Sequence, residues 1–390
     1  MNRVHVQPES PIDRCIDENG LIRLNLNHPP PVPHTFDQIF KGVLEDLFRT
    51  MSPSSLVKTH RWTGSDEDRS RGAEFTGRRL GTQPDAGRVV LTHSTQAAMH
   101  MILPGIIPKG RALVVEQMTY PPVRTFAERY GIPVIDVPID GDGVDPNAFE
   151  NVCKEANPAA VYLLTTYQNP TTITMSLTRR AHIAEIARRY CVKIIEDDVY
   201  SLLSPSPLMP ISAMAPEISW YLLGTAKSFA AGLKLAYLVA PTADEAARVF
   251  WPGVRATYWM ATPMSAALMS GFIRRGDDQA ILSAVKTELR NRHELLDQIL
   301  CNCRYVTDPG CLHVWLPLPE GTSSKELAAA IKRDGVQVAD SNSYASSSFQ
   351  PSEAIRVGIG NPEGRDLLEY ALKTLARYLP SKRSSAGRSP

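Results

Sequence analysis

Long hydrophobic runs are missing from this chain. No apolar stretch approaches the roughly 20 residues that cross a bilayer, so no helical membrane span is expected. Net charge is missing as well. The 42 Lys and Arg against 41 Asp and Glu leave +1, so no overall field draws the chain to nucleic acid or to a membrane surface. Met1 to Glu18 is polar and has no apolar core, which argues against a secretory signal. Cysteine is sparse: six in 390 residues (Cys15, Cys153, Cys191, Cys301, Cys303, Cys311), scattered as reduced thiols are. Cys301-Asn302-Cys303 has no second ligand pair or histidine cluster beside it, so no metal is expected. These absences lead to the expectation of a cytoplasmic protein.

What is present is globular: 43% hydrophobic and 21% charged residues, in a length that suggests two or three domains. The 31 prolines mostly mark turns and loops. The stretch to about Gly20 reads as a loose arm, Leu21 to Leu26 as a short strand, and Pro29 to Pro33 as an extended polyproline segment. Phe36 to Met51 has apolar residues at helical spacing. From Val89 on, strand and helix patterns alternate. Val89–Leu91, Ala112–Val115, Val134–Val137, Ala159–Thr165, Val192–Ile195, Tyr221–Leu223 and Leu235–Val239 are strand-like. Gln96–Leu103, Val123–Tyr130, Leu177–Tyr190 and Ala243–Phe250 are helix-like. The alternation predicts an α/β fold, a mostly parallel seven-stranded sheet with helices on both faces. A longer helix over Ala280–Leu300 follows. Strands near Cys311–Leu316 and Ile355–Ile359 and helices near Ser324–Asp334 and Gly364–Leu379 then predict a smaller C-terminal α+β domain. The expected division is an arm and first helix (1–50), a large domain (51–245), a small domain (246–380) and a Ser/Arg/Lys-rich disordered tail (381–390).

Chemistry-bearing residues cluster at the C-terminal ends of three strand patterns. Tyr167-Gln168-Asn169-Pro170 follows Ala159–Thr165. Glu196-Asp197-Asp198-Val199-Tyr200 follows Val192–Ile195. Gly224-Thr225-Ala226-Lys227-Ser228 follows the run Trp220–Leu223. In an open α/β sheet such ends converge on one crevice. A Lys, an Asp, an Asn and a Tyr delivered together suit pyridoxal 5′-phosphate (PLP). It needs a lysine amine for its Schiff base and a carboxylate at its pyridinium nitrogen. Donors to its ring hydroxyl are at hand in Asn169 and Tyr200. On chemistry alone either Asp197 or Asp198 can serve. His93-Ser94-Thr95-Gln96 follows another strand and opens a helix, whose N-terminus suits a phosphate.

These stretches, in order, resemble the fold-type I PLP-dependent enzymes of the aspartate aminotransferase superfamily (class I/II). Val115–Pro121, Lys227 through Gly232-Leu233-Lys234, Leu312–Pro317 and Ala354–Val357 match as well. The likeness is stronger to the aminotransferase-like domain of MocR/GntR-type proteins, and covers roughly residues 21 to 380. The resemblance implies transamination between an L-amino acid and a 2-oxo acid, with PLP as cofactor, in a homodimer. Lys227 becomes the Schiff-base lysine and general base. The three-residue offset to Tyr200 selects Asp197 for the ring nitrogen. Tyr120 stacks on the ring. Ser94, Thr95, Gln96, Thr225 and Lys234 surround the phosphate, and Asn169 and Tyr200 bond the ring oxygen. Arg356 takes the substrate α-carboxylate, and Asn27 lies on the segment expected at the substrate.

The chain departs from the family pattern at several phosphate positions. Lys234 stands where an arginine is usual, which keeps the charge and loses the fork. Gly224 and Ala226 replace serines, Ser94 replaces a glycine, Ala231 a proline and Thr172 a glycine. Thr59 falls where a tyrosine reaches the partner subunit's phosphate. These changes suggest a specialised biosynthetic enzyme. The regulators carry an N-terminal winged helix. About 20 residues precede the first match here, so DNA binding is not expected. Two rivals share the ring-binding set: another PLP reaction (elimination, replacement, decarboxylation, racemisation or oxidation), and a PLP-binding sensor with little turnover.

Overall fold

The computed structural model describes residues 20–58 and 60–380. The expectations for the N-terminal arm before residue 20, for Thr59 and for the tail 381–390 lie outside these residues.

Seven strands form the central sheet: β1 (Val89–Thr92), β2 (Leu113–Glu116), β3 (Val134–Val137), β4 (Ala160–Leu163), β5 (Lys193–Asp197), β6 (Ser219–Gly224) and β7 (Ala236–Val239). Their order is β1-β7-β6-β5-β4-β2-β3. All neighbours are parallel except β7, which runs antiparallel to both β1 and β6. The strands read as nearly continuous aliphatic runs because both faces are covered. Alternate residues still part between the two faces. Leu113, Val115, Tyr162 and Ile195 join the larger core cluster, while Val114, Val161, Leu163 and Ile194 join the smaller one. Burial of each such side chain stabilises the fold by roughly 1.5–3 kcal/mol.

Helices occupy the expected places, with boundaries shifted by a few residues. The first runs Pro33–Thr50, starting at the last proline of the polyproline run, where a missing N–H is harmless. Of the strand expected over Leu21–Leu26, only Ile22–Arg23 pairs, parallel to Val336–Gln337. Asp66–Leu80, Pro146–Ala156 and Pro263–Arg275 are helices that the periodicity did not single out. Asp66–Leu80 starts with a capping box, Ser65 and Asp68 bonding each other's backbone N–H. The helix Ala243–Thr257 packs on Thr95–Ile106, so the large layer continues past residue 245.

A three-stranded antiparallel sheet follows, ordered His313–Pro317, Ala354–Gly358, Ala339–Asp340. It meets the large sheet through an isolated bridge, Met118 to Ala345, where Thr119 N donates to Tyr344 O at 3.0 Å. The segment from Arg23 to His28 is strapped along Ala354–Gly358. Gly358 N donates to Leu24 O at 2.6 Å, and Asn361 Nδ2 to Arg23 O at 3.0 Å. Among the described residues no helix is long and apolar enough to cross a membrane.

Candidate active site

The C-terminal ends of β4, β5 and β6 open into one cavity of about 250 Å³. Nine residues singled out in the sequence line it: Ser94, Thr95, Gln96, Tyr120, Asn169, Asp197, Tyr200, Lys227 and Lys234. Thr225 is not among them. Its hydroxyl faces inward and donates to Leu235 O at 2.8 Å, so it holds the turn after β6 rather than the cavity. Arg356 lines an adjoining recess that shares Tyr120 and Asn169 with the cavity. Asn27 sits behind the wall, buried, and touches the site through both side chain and backbone.

Lys227 Nζ donates to Asn27 O at 2.7 Å. Burial and the nearby Arg356 charge push its pKa down to about 8, against an opposing pull from Asp197. Asp197 ends β5 with its carboxylate 5% exposed as a residue. Burial raises it to about 6, while the Tyr162 hydroxyl, donating to Oδ2 at 2.7 Å, acts to lower it. Oδ1 is buried with no partner in the protein, so it is open to a further donor.

Asp198, one residue on, has a different fate. Its Oδ2 accepts from Arg79 Nη2 at 3.0 Å, Ser201 Oγ at 2.7 Å and Tyr221 Oη at 2.8 Å. It is completely buried in this pairing. Of the two carboxylates that chemistry left open, only Asp197 faces the cavity.

Tyr200 Oη accepts from Asn27 Nδ2 at 3.2 Å, which leaves its own proton to donate elsewhere. The other Asn27 amide proton goes to His313 Nδ1 at 3.1 Å, and His313 Nε2 donates to Gln168 O at 3.2 Å. A carbonyl only accepts, so the proton sits on Nε2. Burial pushes the imidazole pKa down to about 3, with Arg356 adding to it, and the ring is neutral. Asn169 Oδ1 accepts from Arg356 Nη1 at 2.8 Å, leaving the Asn169 amide protons free. The Asn169–Pro170 bond is cis. Arg356 Nη2 donates to Asn25 O, its Nε has no partner, and its guanidinium lies 5.3 Å from the centre of the Tyr344 ring.

At the far end, the helix Thr95–Ile106 begins at the cavity. Ser94 serves as its N-cap, accepting from Ala97 N at 3.0 Å. The cap and the cavity wall are thus one residue. Gln96 Nε2 donates to Tyr120 Oη at 2.6 Å. Lys234, exposed and in the left-handed region at φ +48°, turns the chain into β7 beside them.

Two contributors escaped the sequence. Tyr162 lies in a strand pattern and His313 in the matched stretch Leu312–Pro317, and the sequence assigns neither a role at the site. A signal existed for Tyr162, a polar-tipped ring in an aliphatic strand. The register pairs it with Ile195, two residues before Asp197 and on the same face.

The family described as aminotransferase class I and II matches residues 22–375. The chain belongs to this aminotransferase family. Among curated members it is 28% identical over 310 residues to the uncharacterized HTH-type transcriptional regulator YdeF of Bacillus subtilis, covering 77% of this chain and 65% of that one. It is 24% identical over 264 residues to the 2-aminoadipate transaminase of Thermus thermophilus, covering 65% of each. The matches thus span just under two thirds of the length of these two relatives. The aminotransferase fold recurs in solved structures. The kynurenine aminotransferase of Pyrococcus horikoshii superposes with a TM-score of 0.83 at 20% identity, covering 98% of this chain and 96% of that one. An archaeal alanine:glyoxylate aminotransferase gives 0.81 at 22%, covering 95% and 96%.

Proposed function

We propose that this chain is a PLP-dependent aminotransferase that moves an amino group between an L-amino acid and a 2-oxo acid. One observation carries the reading. The Lys227 amine, the unpartnered Asp197 Oδ1 and the Tyr200 hydroxyl all border a single cavity, beside a helix N-terminus.

The residues present fit the cofactor. A pyridinium N–H supplies a donor to Asp197 Oδ1, which has none from the protein. Tyr200 Oη and the Asn169 amide have protons left for the ring oxygen. Tyr120 offers a ring face, and Ser94, Thr95, Gln96 and Lys234 offer an anion site at the start of the helix. When bound, PLP supplies an electron sink for the substrate's Cα.

The protein's own residues do the rest. Arg356 grips the substrate α-carboxylate by its fork, which a lysine cannot reproduce, and its free Nε is suited to this. Lys227, with its pKa brought down to about 8, holds a usable fraction of neutral amine near pH 7 and takes the proton from Cα. Asp197 stays ionised against the ring nitrogen because Tyr162 already donates to its other oxygen. The large domain, expected over 51–245 and extended here by the helix Ala243–Thr257, carries the ring-binding set, and the small domain that follows carries Arg356. The homodimer implied by the resemblance and the cytoplasmic location expected from the sequence belong to the same proposal. Light scattering of the purified chain checks the first.

The test is visible absorbance of purified protein loaded with PLP and mixed with a panel of amino acids. The expected result is a lysine-bound cofactor band that an amino acid removes and a 2-oxo acid restores. A band that no amino acid exchanges, or no band at all, sinks the reading.

A further inference from the structure

Beside Arg356 lies a second recess of about 400 Å³, continuous with the first through Tyr120 and Asn169. Four of its twelve lining residues carry rings, Tyr120, Pro121, Pro122 and Tyr344. Ala339 is paired directly across the ladder from Arg356, and cross-strand partners share a face. Ala339 puts only a methyl group on the recess wall. We propose that this recess is the side-chain subsite for the substrate, that it takes a large aromatic side chain, and that it turns acidic side chains away; this rests on Arg356 holding the α-carboxylate.

The charge inventory carries the second half. Arg356 is the sole cation on the recess wall, and Asp340 the sole carboxylate. An α-carboxylate uses Arg356. A second carboxylate on the substrate then meets no second cation, and it meets Asp340 instead. The Asp340 oxygens are held in place by Ser343 N at 3.2 Å and Ser343 Oγ at 2.8 Å. Like charge without a partner in a half-enclosed site is unfavourable. The shape carries the first half. Tyr344 is buried and pinned, its carbonyl bonded to Thr119 N and its ring against the guanidinium. Tyr120 is fixed through Gln96. Ring walls held this way favour stacked or edge-on contact with another ring over loose aliphatic contact.

The experiment titrates PLP-loaded protein with carboxylates that cannot react: 3-phenylpropionate, glutarate and 6-aminohexanoate. Calorimetry reads binding directly, apart from turnover. We expect 3-phenylpropionate to bind at least about tenfold tighter than the other two, or about 1.4 kcal/mol. Asp340→Asn removes the charge, keeps one acceptor oxygen for Ser343 N, and is expected to narrow the gap by strengthening glutarate about fivefold. Ala339→Leu fills the space and is expected to weaken 3-phenylpropionate about tenfold, with the bound-cofactor spectrum retained as the sign of a folded site. Glutarate or 6-aminohexanoate binding as tightly as 3-phenylpropionate overturns the proposal. So does an Ala339→Leu variant with unchanged binding, or a protein that binds none of the three. The expected order of binding without any amino-group exchange would leave the subsite standing and remove the transaminase reading.

Discussion

Adjacent residues in this chain do opposite work. Asp197 is a buried carboxylate that borders the cavity and has no cation bonded to it, and Asp198 is a buried carboxylate held away from the cavity, its Oδ2 accepting from Arg79, Ser201 and Tyr221. Asp198→Asn leaves Arg79 uncompensated and is expected to destabilise the fold by about 3 kcal/mol or more, measured by chemical denaturation. Asp197→Asn removes a charge that burial disfavours. It is expected to leave stability intact and lower turnover by about a hundredfold or more, the scale of a lost electrostatic contact in a dry site. Equal loss of stability in both variants would contradict this division. Lys227 gives a prediction in pH. Its pKa falls from the ordinary 10.5 to about 8, so between these values the unfolded chain binds more protons than the folded one. Stability from this group therefore rises with pH across that window, by roughly 3 kcal/mol in all. Comparison of the cofactor-free protein with Lys227→Met over pH 8 to 10.5 checks it. The parent should gain on the variant as pH rises. That Lys227, Asn169 and Tyr200 share one cavity was legible because each follows closely on the end of a strand pattern. His313 was not, because a neutral buried histidine on a strand looks like any packed ring until its neighbours are known.

At the scale of elements, the strands of the central sheet were legible because two covered faces demand aliphatic runs. The helix Asp66–Leu80 was not. Its charged sequence hides a face on which Phe75 is the one large apolar residue among the small Gly72, Ala73 and Thr76, too few to carry a periodicity. Thr225 misled for a related reason. A hydroxyl near the lysine invited a phosphate role, yet the turn after β6 claims it for Leu235 O. The strap along Ala354–Gly358 depends on two bare backbones. A Cβ on Gly358 would stand 2.0 Å from Leu26 O, and one on Gly360 2.0 Å from His28 O. Gly358→Ala is expected to destabilise the protein by about 2–3 kcal/mol through this overlap. It should also weaken PLP binding, because the strap carries Asn27. Denaturation and cofactor titration read the two effects separately. Unchanged values for both would show that the strap yields freely.

Across the whole molecule, the site is drawn from distant parts of the chain. Arg356 reaches Asn25 across 331 residues and Asn169 across 187, and Lys227 reaches Asn27 across 200. Filling such a site ties the layers together. PLP at a hundred times its dissociation constant is expected to add about 2.7 kcal/mol to stability, seen as a rise in melting temperature that Asp197→Asn diminishes. No rise in the parent would count against the cofactor site. Two contacts of the strap have one further property in common. Lys227 meets the main-chain carbonyl of Asn27, and Arg356 that of Asn25. A peptide carbonyl is supplied by every one of the twenty amino acids. Evolutionary drift in the identity of residue 25 would therefore leave its contact to Arg356 untouched, whereas residue 27 is also constrained by its amide. Two neighbouring positions on one strap should then diverge at different rates among descendants, and the slower of the two would trace the Tyr200–His313 connection.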